Sequence, residues 1–329
     1  MIRLAGVLIL LVTMYAALFL SNENALASSN LIDLANRQGF YGLLTLAAAV
    51  MILSGSIDLS VGSVVGLGAI VFGSLMKLGI PPYVALVLTV VLGMTIGLVQ
   101  GLLVYGLKLQ SFLVTLCGMF VFRGLARLIT GGLGVGLQQV QNPDVHPEFR
   151  NSIETMRYFL VGIDSAEKLR FPAMLVVFIG LAAVFGLLLH KTRHGRCWYA
   201  IGYNEQAARY AGIPVGPYRV ATFVVCSGLA SFAGCLLLLS YGSANPDTAG
   251  QNMELEAITG AVLGGVSLRG GEGTIVGIAL GAAVLPLLNK LVTFLGIPTE
   301  VIPIVVGLTL FFGAFIDEFI RRRSAGRTG

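Results

Sequence analysis

Two strongly apolar runs, residues 41–53 and 64–76, flank a single carboxylate at Asp58, and neither run contains a charged residue. A carboxylate at the centre of a membrane helix costs roughly 2.5–3.5 kcal/mol on insertion scales. Gly55 and Gly62 on either side of it loosen the helix, and irregular backbone at membrane depth survives only where protein or water covers it. The pattern predicts a broken helix in the working region of a membrane protein.

The whole chain has the composition of a membrane protein. It is 56% hydrophobic and only 11% charged, whereas soluble domains carry about 25% charged residues. We therefore predict an all-α, polytopic helix bundle of about ten transmembrane helices, formed by one domain over residues 1–329. The predicted spans are 4–20, 41–54, 61–76, 83–106, 112–130, 172–189, 220–241, 256–266, 274–294 and 299–316.

Two of these runs need separate treatment. A span takes about 20 residues, so the run 256–266 is predicted to be a broken or half-length helix that leads into a glycine-rich turn at Gly264. The run 4–20, followed by Ala25-Leu26-Ala27, imitates a cleaved secretory signal. Signal cores are about 7–15 residues long, so we favour an uncleaved first span and keep cleavage as the alternative.

The distribution of Lys and Arg among the short loops predicts the orientation of the chain in the membrane. The loop 190–219 carries five basic residues against one acid, and the tail 317–329 is also basic. We expect both to be cytoplasmic, together with the N-terminus. The segment 131–171 then faces outward, with mixed charge, as a short lid or docking ledge. The net charge of +5 follows from this placement and needs no nucleic-acid partner.

The two halves of the chain share a short motif. Leu78-Gly79-Ile80-Pro81 and Leu295-Gly296-Ile297-Pro298 each follow a broken segment and its span. The match indicates a duplicated unit, with chance as the alternative. Glycines spaced by four residues are typical of helices that pack closely in lipid; they occur at Gly62/Gly66, Gly93/Gly97/Gly101 and Gly277/Gly281.

The loop 202–213 predicts a short helix outside the bilayer. Residues 205–211 are good helix formers, Asn204 is a suitable N-cap, and Gly212 followed by Pro214 ends the helix. A small face on such a helix suits docking into a groove of a partner protein. An ordinary interhelical loop is the alternative. The candidate docking residues are Asn204, Glu205, Gln206, Ala207, Ala208, Arg209 and Gly212.

Several polar residues inside the spans have two interpretations each. We favour a structural role for Asp58, capping the next helix through the N–H of Ser60 or Val61, over contact with a transported solute or a proton. Arg123 and Arg127 are expected to reach the membrane interface, with a vestibule lining as the alternative.

The polar residues near the last spans are equally open. Asn289 is predicted either to bond a neighbouring helix or to touch a transported solute. Glu254 and Glu256 are expected to favour the N-terminal dipole of the half-length helix.

No motif for catalysis is present. The chain lacks the G-x-x-x-x-G-K-[ST] loop that cradles ATP phosphates, and no nucleophile–His–acid or paired metal-ligand pattern appears. The four cysteines form no C-x-x-C pair, so we predict no metal site and no disulfide. The chain is therefore not predicted to be an enzyme.

Two motifs together carry a family resemblance. The sequences 205–208 (EQAA) with Gly212-Ile213, and 55–63 (GSIDLSVGS), resemble the permeases of ATP-binding-cassette importers, in the branch for ribose, xylose, arabinose and galactosides. Further matches are Arg123-Gly124, the glycine-rich stretch 264–273 and Asn289. Ser56 departs from the glycine common in that family, and the segment 131–171 is longer than expected. The candidate signature and pathway residues are Gly55, Asp58, Ser60, Gly62, Arg123, Gly264, Gly265 and Asn289.

The resemblance implies a function. It implies a monosaccharide importer in the bacterial plasma (inner) membrane, with two permease subunits, identical or paralogous. An extracytoplasmic sugar-binding protein would deliver the substrate, and a separate ATPase holding ATP and Mg would bind the loop 202–213. The rival hypothesis is a secondary transporter in which Asp58 couples uptake to protons.

Overall fold

A computed structural model describes residues 2–21, 27–140, 148–298 and 300–325, and this part of the chain is almost wholly helical. Its helices are α1 (Ile2–Ser21), α2 (Ser28–Leu53), α3 (Val61–Lys77), α4 (Pro82–Gly106), α5 (Ser111–Thr130), α6 (Leu137–Val140), α7 (Phe149–Met156), α8 (Ala173–Lys191), α9 (Arg193–Tyr203), α10 (Glu205–Tyr210), α11 (Val215–Tyr241), α12 (Met253–Leu263), α13 (Ile275–Phe294) and α14 (Val301–Ala325). A π-helical turn spans Arg157–Val161, and the strands β1 (Val135–Gly136) and β2 (Ser243–Ala244) pair antiparallel.

Each predicted apolar run coincides with a helix, which confirms the all-α membrane fold. Within the described ranges, five helices (α4, α5, α8, α11 and α13) are long and apolar enough to cross a membrane, and shorter apolar helices include Val61–Lys77. The total of ten spans stays a prediction.

One predicted boundary is wrong. Helix α2 begins at Ser28 rather than at residue 41. Its first half is polar, and Asp33 pairs there with Arg37 one turn on (3.1 Å) and with Lys290 of α13 (3.0 Å). Ion pairs thus extend this helix beyond its apolar run.

Helix α11 forms the centre of the bundle, where α4, α3 and α2 pack around it. Three glycines of α4 line its contact with α11. A Cβ at Gly97 would overlap the carbonyl oxygen of Phe223, and one at Gly101 would lie 2.9 Å from the Cα of Val220. The predicted role of these glycines in close helix packing is confirmed, because only glycine lets the two backbones approach this closely.

The two halves share more than a four-residue motif. Helices α2 and α12 both end with a glycine in the left-handed region, Gly55 (φ 77°) and Gly265 (φ 83°). At each end the next residue donates its N–H to the carbonyl five positions back, Ser56 to Met51 (3.1 Å) and Val266 to Ala261 (3.0 Å). This is the Schellman pattern of helix termination.

The same termination recurs after the next helix in each half. Ile80 donates to Leu75 (3.1 Å) at the end of α3, and Ile297 donates to Val292 (3.0 Å) at the end of α13. Both lie in the Leu-Gly-Ile-Pro motif. In both halves, the same elements therefore occur in the same order: a helix, a turn, a second helix, and a proline followed by a third helix. This supports duplication over chance.

Both ends of the chain bear on earlier expectations. Helix α1 packs its Leu11 and Leu18 against Leu287 of α13, which favours a retained first span. The cleavage motif falls largely on residues 22–26, which lie outside the described residues. In the predicted tail 317–329, residues 317–325 continue α14 and residues 326–329 lie outside the described part.

The described parts of the segment 131–171, residues 131–140 and 148–171, pack onto the end of the bundle. The side chain of Arg157 is buried, donates to the Leu239 carbonyl of α11 (3.0 Å) and forms a two-point ion pair with Glu167. The hydrogen-bonded guanidinium holds the pKa of Glu167 below its usual range. This anchoring favours a fixed ledge over a free lid, and the ledge's docking role stays a prediction.

We expect Gly97→Ala to destabilise the protein, because the added methyl group overpacks the contact between α4 and α11. Overpacking of this kind costs typically about 1–3 kcal/mol. The loss of stability is measured as a lower apparent melting temperature in detergent, detected by size-exclusion chromatography of heated samples. The matched control is Gly106→Ala, since a Cβ at Gly106 meets nothing within 4 Å; equal melting of the two variants would contradict the prediction.

Candidate functional site

Asp58 lies in the seven-residue break between α2 and α3 and is only 3% exposed. Its Oδ1 accepts hydrogen bonds from the backbone N–H of Ser60 (2.7 Å) and from the Ser60 hydroxyl (2.6 Å). The predicted bond to Ser60 is confirmed, but the capping role needs correction. The N-cap position of α3 belongs to Ser60, so Asp58 stabilises the turn that leads into the helix, as Asx turns do.

A buried polar group extends from Asp58 across the bundle. The side-chain amide of Gln100 on α4 donates to the Ser60 hydroxyl (3.0 Å), and the Cys226 thiol of α11 lies beside the Asp58 carboxylate. Gly118 of α5 leaves room for Gln100, since a Cβ there would lie 2.6 Å from its Nε2. Gln100 was missed by the sequence analysis, although a lone glutamine in an apolar helix is a usable signal.

Three buried atoms of this group make no hydrogen bond within the described residues: Ser56 Oγ, Asp58 Oδ2 and Gln100 Oε1. Buried polar groups are nearly always hydrogen-bonded. These atoms are therefore the groups in this part of the bundle that are best suited to meet a polar solute.

The second irregular region lies on both sides of the short helix α12. This helix has 11 residues, about 16 Å at 1.5 Å per residue, so the predicted half-length helix is confirmed. Glu254 and Glu256 lie in its first turn, as predicted. Gly264 and Gly265 end it, and a Cβ at Gly264 would overlap the carbonyl of Gly277 on α13.

For Gly62 and Gly66 the prediction is close packing along a neighbouring helix. They instead face the irregular segment before α12 and the first turn of α12: a Cβ at Gly62 would overlap the carbonyl oxygen of Gly250 and the carboxylate of Glu254, and one at Gly66 would lie 2.5 Å from the carbonyl oxygen of Ala249. The start of α3 and the start of α12 therefore meet directly, beside the break that contains Asp58.

Two arginines of α5 hold this irregular segment. Arg123 donates to the Ala249 carbonyl (2.5 Å), and Arg127 pairs with Asp247 (2.5 Å). Arg123 is the thirteenth residue of α5, about 18 Å along the helix. Protein carbonyl and carboxylate groups therefore bind both arginines, and their extension to the membrane interface stays a prediction, with the vestibule lining as its alternative.

The predicted helix–helix bond of Asn289 is not formed by its side-chain oxygen. Asn289 Oδ1 is buried and accepts no hydrogen bond from the described residues. The contact to α2 comes from the next residue, Lys290, which bonds Asn30 (3.1 Å) and Asp33 (3.0 Å).

The loop 190–219 contains two helices, α9 and α10, and α10 has the predicted ends. Asn204 Oδ1 accepts from the Ala207 N–H (3.0 Å), and Gly212 adopts φ 77° at the other end. Ala208 is buried with Ile201 of α9. The helix, its N-cap and its stop are thus confirmed, while its docking role is not tested by these contacts.

The two faces of α10 differ from the sequence-based expectation. Glu205 forms internal ion pairs with Arg209 (2.6 Å) and with Arg219 of α11 (2.6 Å), so it fastens α10 to the bundle. The outward surface includes Gln206, Ala207 and two strongly exposed tyrosines, Tyr203 (78%) and Tyr210 (93%). The tyrosines were missed, although aromatic residues in a loop predicted to lie outside the bilayer were a signal.

Comparison with known proteins places this chain in a family. Residues 30–314 match the family described as branched-chain amino acid transport system / permease component. The chain is 33% identical over 311 residues to the ribose import permease protein RbsC of Escherichia coli K12, covering 94% of this chain and 92% of that protein. It is 32% identical over 305 residues to RbsC of Bacillus subtilis 168, covering 92% and 88%. It is 35% identical over 265 residues to the autoinducer 2 import system permease protein LsrD of Enterobacter sp. 638, covering 79% and 76%. No solved structure matches it.

The chain therefore belongs to this family of import permeases. The family and the apolar helices make it a multi-pass protein of the bacterial plasma membrane and a permease subunit of an ATP-binding-cassette importer rather than an enzyme by itself. Membership in this class implies a separate ATPase and a substrate-binding protein.

We expect Asp58→Ala to destabilise the protein and Asp58→Asn to leave it nearly unchanged. Alanine removes the acceptor of both Ser60 bonds, and a buried donor left unsatisfied costs about 1–3 kcal/mol; asparagine keeps an oxygen at Oδ1. Thermal unfolding in detergent is the measurement. A loss of the same size in both variants would show that the negative charge, rather than the acceptor, stabilises the turn.

Proposed function

We propose that this chain forms the pathway by which a monosaccharide or related polyol enters the cytoplasm, driven by an ATPase that docks on α10. The observation that carries the proposal is the construction of α10. It is capped at both ends and fastened to the bundle by Glu205, and it exposes Tyr210 on its outward side, next to the exposed Tyr203 at the end of α9. A fixed helix with exposed aromatic residues has the features of a protein-docking surface.

The substrate class rests on the relatives. The family description names branched-chain amino acids, but the relatives named above that cover most of this chain are permeases for ribose and, over a shorter stretch, for autoinducer 2. A sugar offers several hydroxyl groups and no charge. The unpartnered oxygens of Ser56, Asp58 and Gln100 can accept hydrogen bonds from such hydroxyl groups.

The proposed transporter also needs a second permease subunit, an ATP site, a contact for the binding protein and a defined orientation in the membrane. Two permease subunits, identical or paralogous, form one pathway, and ATP and Mg are held by the ATPase. The ledge 131–171 receives the sugar-binding protein, and both chain termini are cytoplasmic, on the same side as α10.

Uptake by the intact transporter tests the substrate and the energy source. In proteoliposomes containing the permease, its ATPase and its binding protein, we expect uptake of labelled ribose or another monosaccharide only with ATP inside, where the ATPase lies. Autoinducer 2 and leucine are the competing substrates. Uptake that a protonophore abolishes, and that does not depend on ATP, would establish the secondary transporter instead.

We expect Ala207→Arg to lower the amount of ATPase that co-purifies with the permease at least tenfold, without unfolding the permease. Ala207 lies on the exposed side of α10, and the new side chain would occupy the contact surface while the backbone bond from Ala207 to Asn204 remains. The measurement is the ratio of ATPase to tagged permease after purification in a mild detergent.

The matched control is Gln110→Arg, an exposed position in the loop between α4 and α5. It adds the same charge on the predicted cytoplasmic side, outside α10. Retention of the ATPase by Ala207→Arg, at the level of this control, would place the docking surface elsewhere.

A further inference from the structure

The corner between α9 and α10 touches the backbone beside both helix breaks. Gly202, the second-last residue of α9, lies against the carbonyl oxygen of Leu53, which ends α2, and against the backbone N–H of Gly271 in the turn after α12. A Cβ at Gly202 would overlap the Leu53 oxygen and would lie 2.5 Å from the Gly271 nitrogen. Any other residue at this position would push α9 away from both contacts.

The two turns are also joined to each other. The Gly271 N–H donates to the Leu53 carbonyl (3.0 Å). Gly270, in the left-handed region at φ 90°, lies against Gly55, since its Cβ would be 2.9 Å from the Gly55 Cα. The end of α2 and the turn after α12 therefore form one backbone-to-backbone unit.

Helix α9 holds this unit through two further contacts. The Tyr199 hydroxyl donates to the Gly273 carbonyl (2.8 Å). A Cβ at Gly271 would lie 2.6 Å from the Cα of Tyr203. Three positions of α9, one turn or less apart, thus face the glycine-rich turn.

Helix α9 is in turn firmly connected to α10. Ile201 is buried with Ala208 of α10, and the break between the two helices is a single residue, Asn204, which caps α10. A displacement of α10 is therefore expected to move the end of α9 that carries Gly202.

We propose that Gly202 is a positioning residue through which α9 and α10 shift the end of α2 and the turn after α12 together. Backbone atoms in direct contact have no flexible side chain that could absorb a small displacement, and packed interfaces pass on sub-ångström shifts rather than deform continuously. The displacement thereby reaches both breaks, including the one that contains Asp58. This inference rests on the proposed function, because it requires a partner that pulls on α10.

The test is Gly202→Ala in the complete transporter, with permease, ATPase and binding protein reconstituted in proteoliposomes. We expect the ATPase to co-purify as with the wild type and ATP hydrolysis to stay within twofold, while substrate taken up per ATP hydrolysed falls at least tenfold. The matched control is Gly180→Ala, an exposed glycine of α8 whose Cβ would meet nothing within 4 Å; its uptake per ATP should equal that of the wild type.

A second variant keeps the test decisive if Gly202→Ala does not give a monodisperse protein. Tyr199→Phe removes only the hydroxyl bond to Gly273 and is expected to lower uptake per ATP at least twofold, at an unchanged melting temperature. An unchanged ratio in monodisperse Gly202→Ala, or in Tyr199→Phe where the first variant fails to fold, overturns the inference. A wild-type permease that retains no ATPase would instead refute the proposed function.

Discussion

The absence of a side chain at particular glycines is the constraint on which the rest of this structure depends. Gly97 lets α4 reach the backbone of α11, Gly62 admits Glu254, and Gly202 admits the carbonyl of Leu53. In lipid, helices gain little from burying apolar surface against each other, so association depends on close van der Waals contact and on polar bonds. Glycine allows the close van der Waals contact, and it brings backbone groups near enough to form polar bonds.

Close approach also explains how polar groups are tolerated inside the bundle. The breaks at Asp58 and at Gly264 free backbone groups that a continuous helix would pair, and such groups are costly in lipid. Each break is closed by a Schellman turn, and each is covered by another part of the chain: Gln100 of α4 lies beside the first, and the backbone of α13 at Gly277 lies against Gly264 at the second. Protein groups thus cover much of the irregular backbone.

Sequence reasoning reached the elements whose signal is local. Apolar runs gave the helices, and Asn204 and Gly212 marked the ends of α10, because caps act within one turn. The start of α2 was misplaced because ion pairs of Asp33, partly with the distant Lys290, extend the helix beyond its apolar run. The partners of Arg123 and Glu205 could not be predicted either, because a sequence shows a charged residue but not the group that the fold brings next to it.

The correction at Glu205 changes how the loop should be understood. A carboxylate on a docking helix invites the interpretation that it binds the partner, yet Glu205 is occupied by Arg209 and Arg219. Exposed ion pairs contribute little to stability, but Arg219 is largely buried and lies on α11, the central helix of the bundle. The pair therefore ties α10 to the bundle at a second point, independent of the contact of Gly202 with Leu53. With two separate attachments, α10 is constrained to move together with the helices that it touches, and a force applied to its outward face acts on the bundle as a whole.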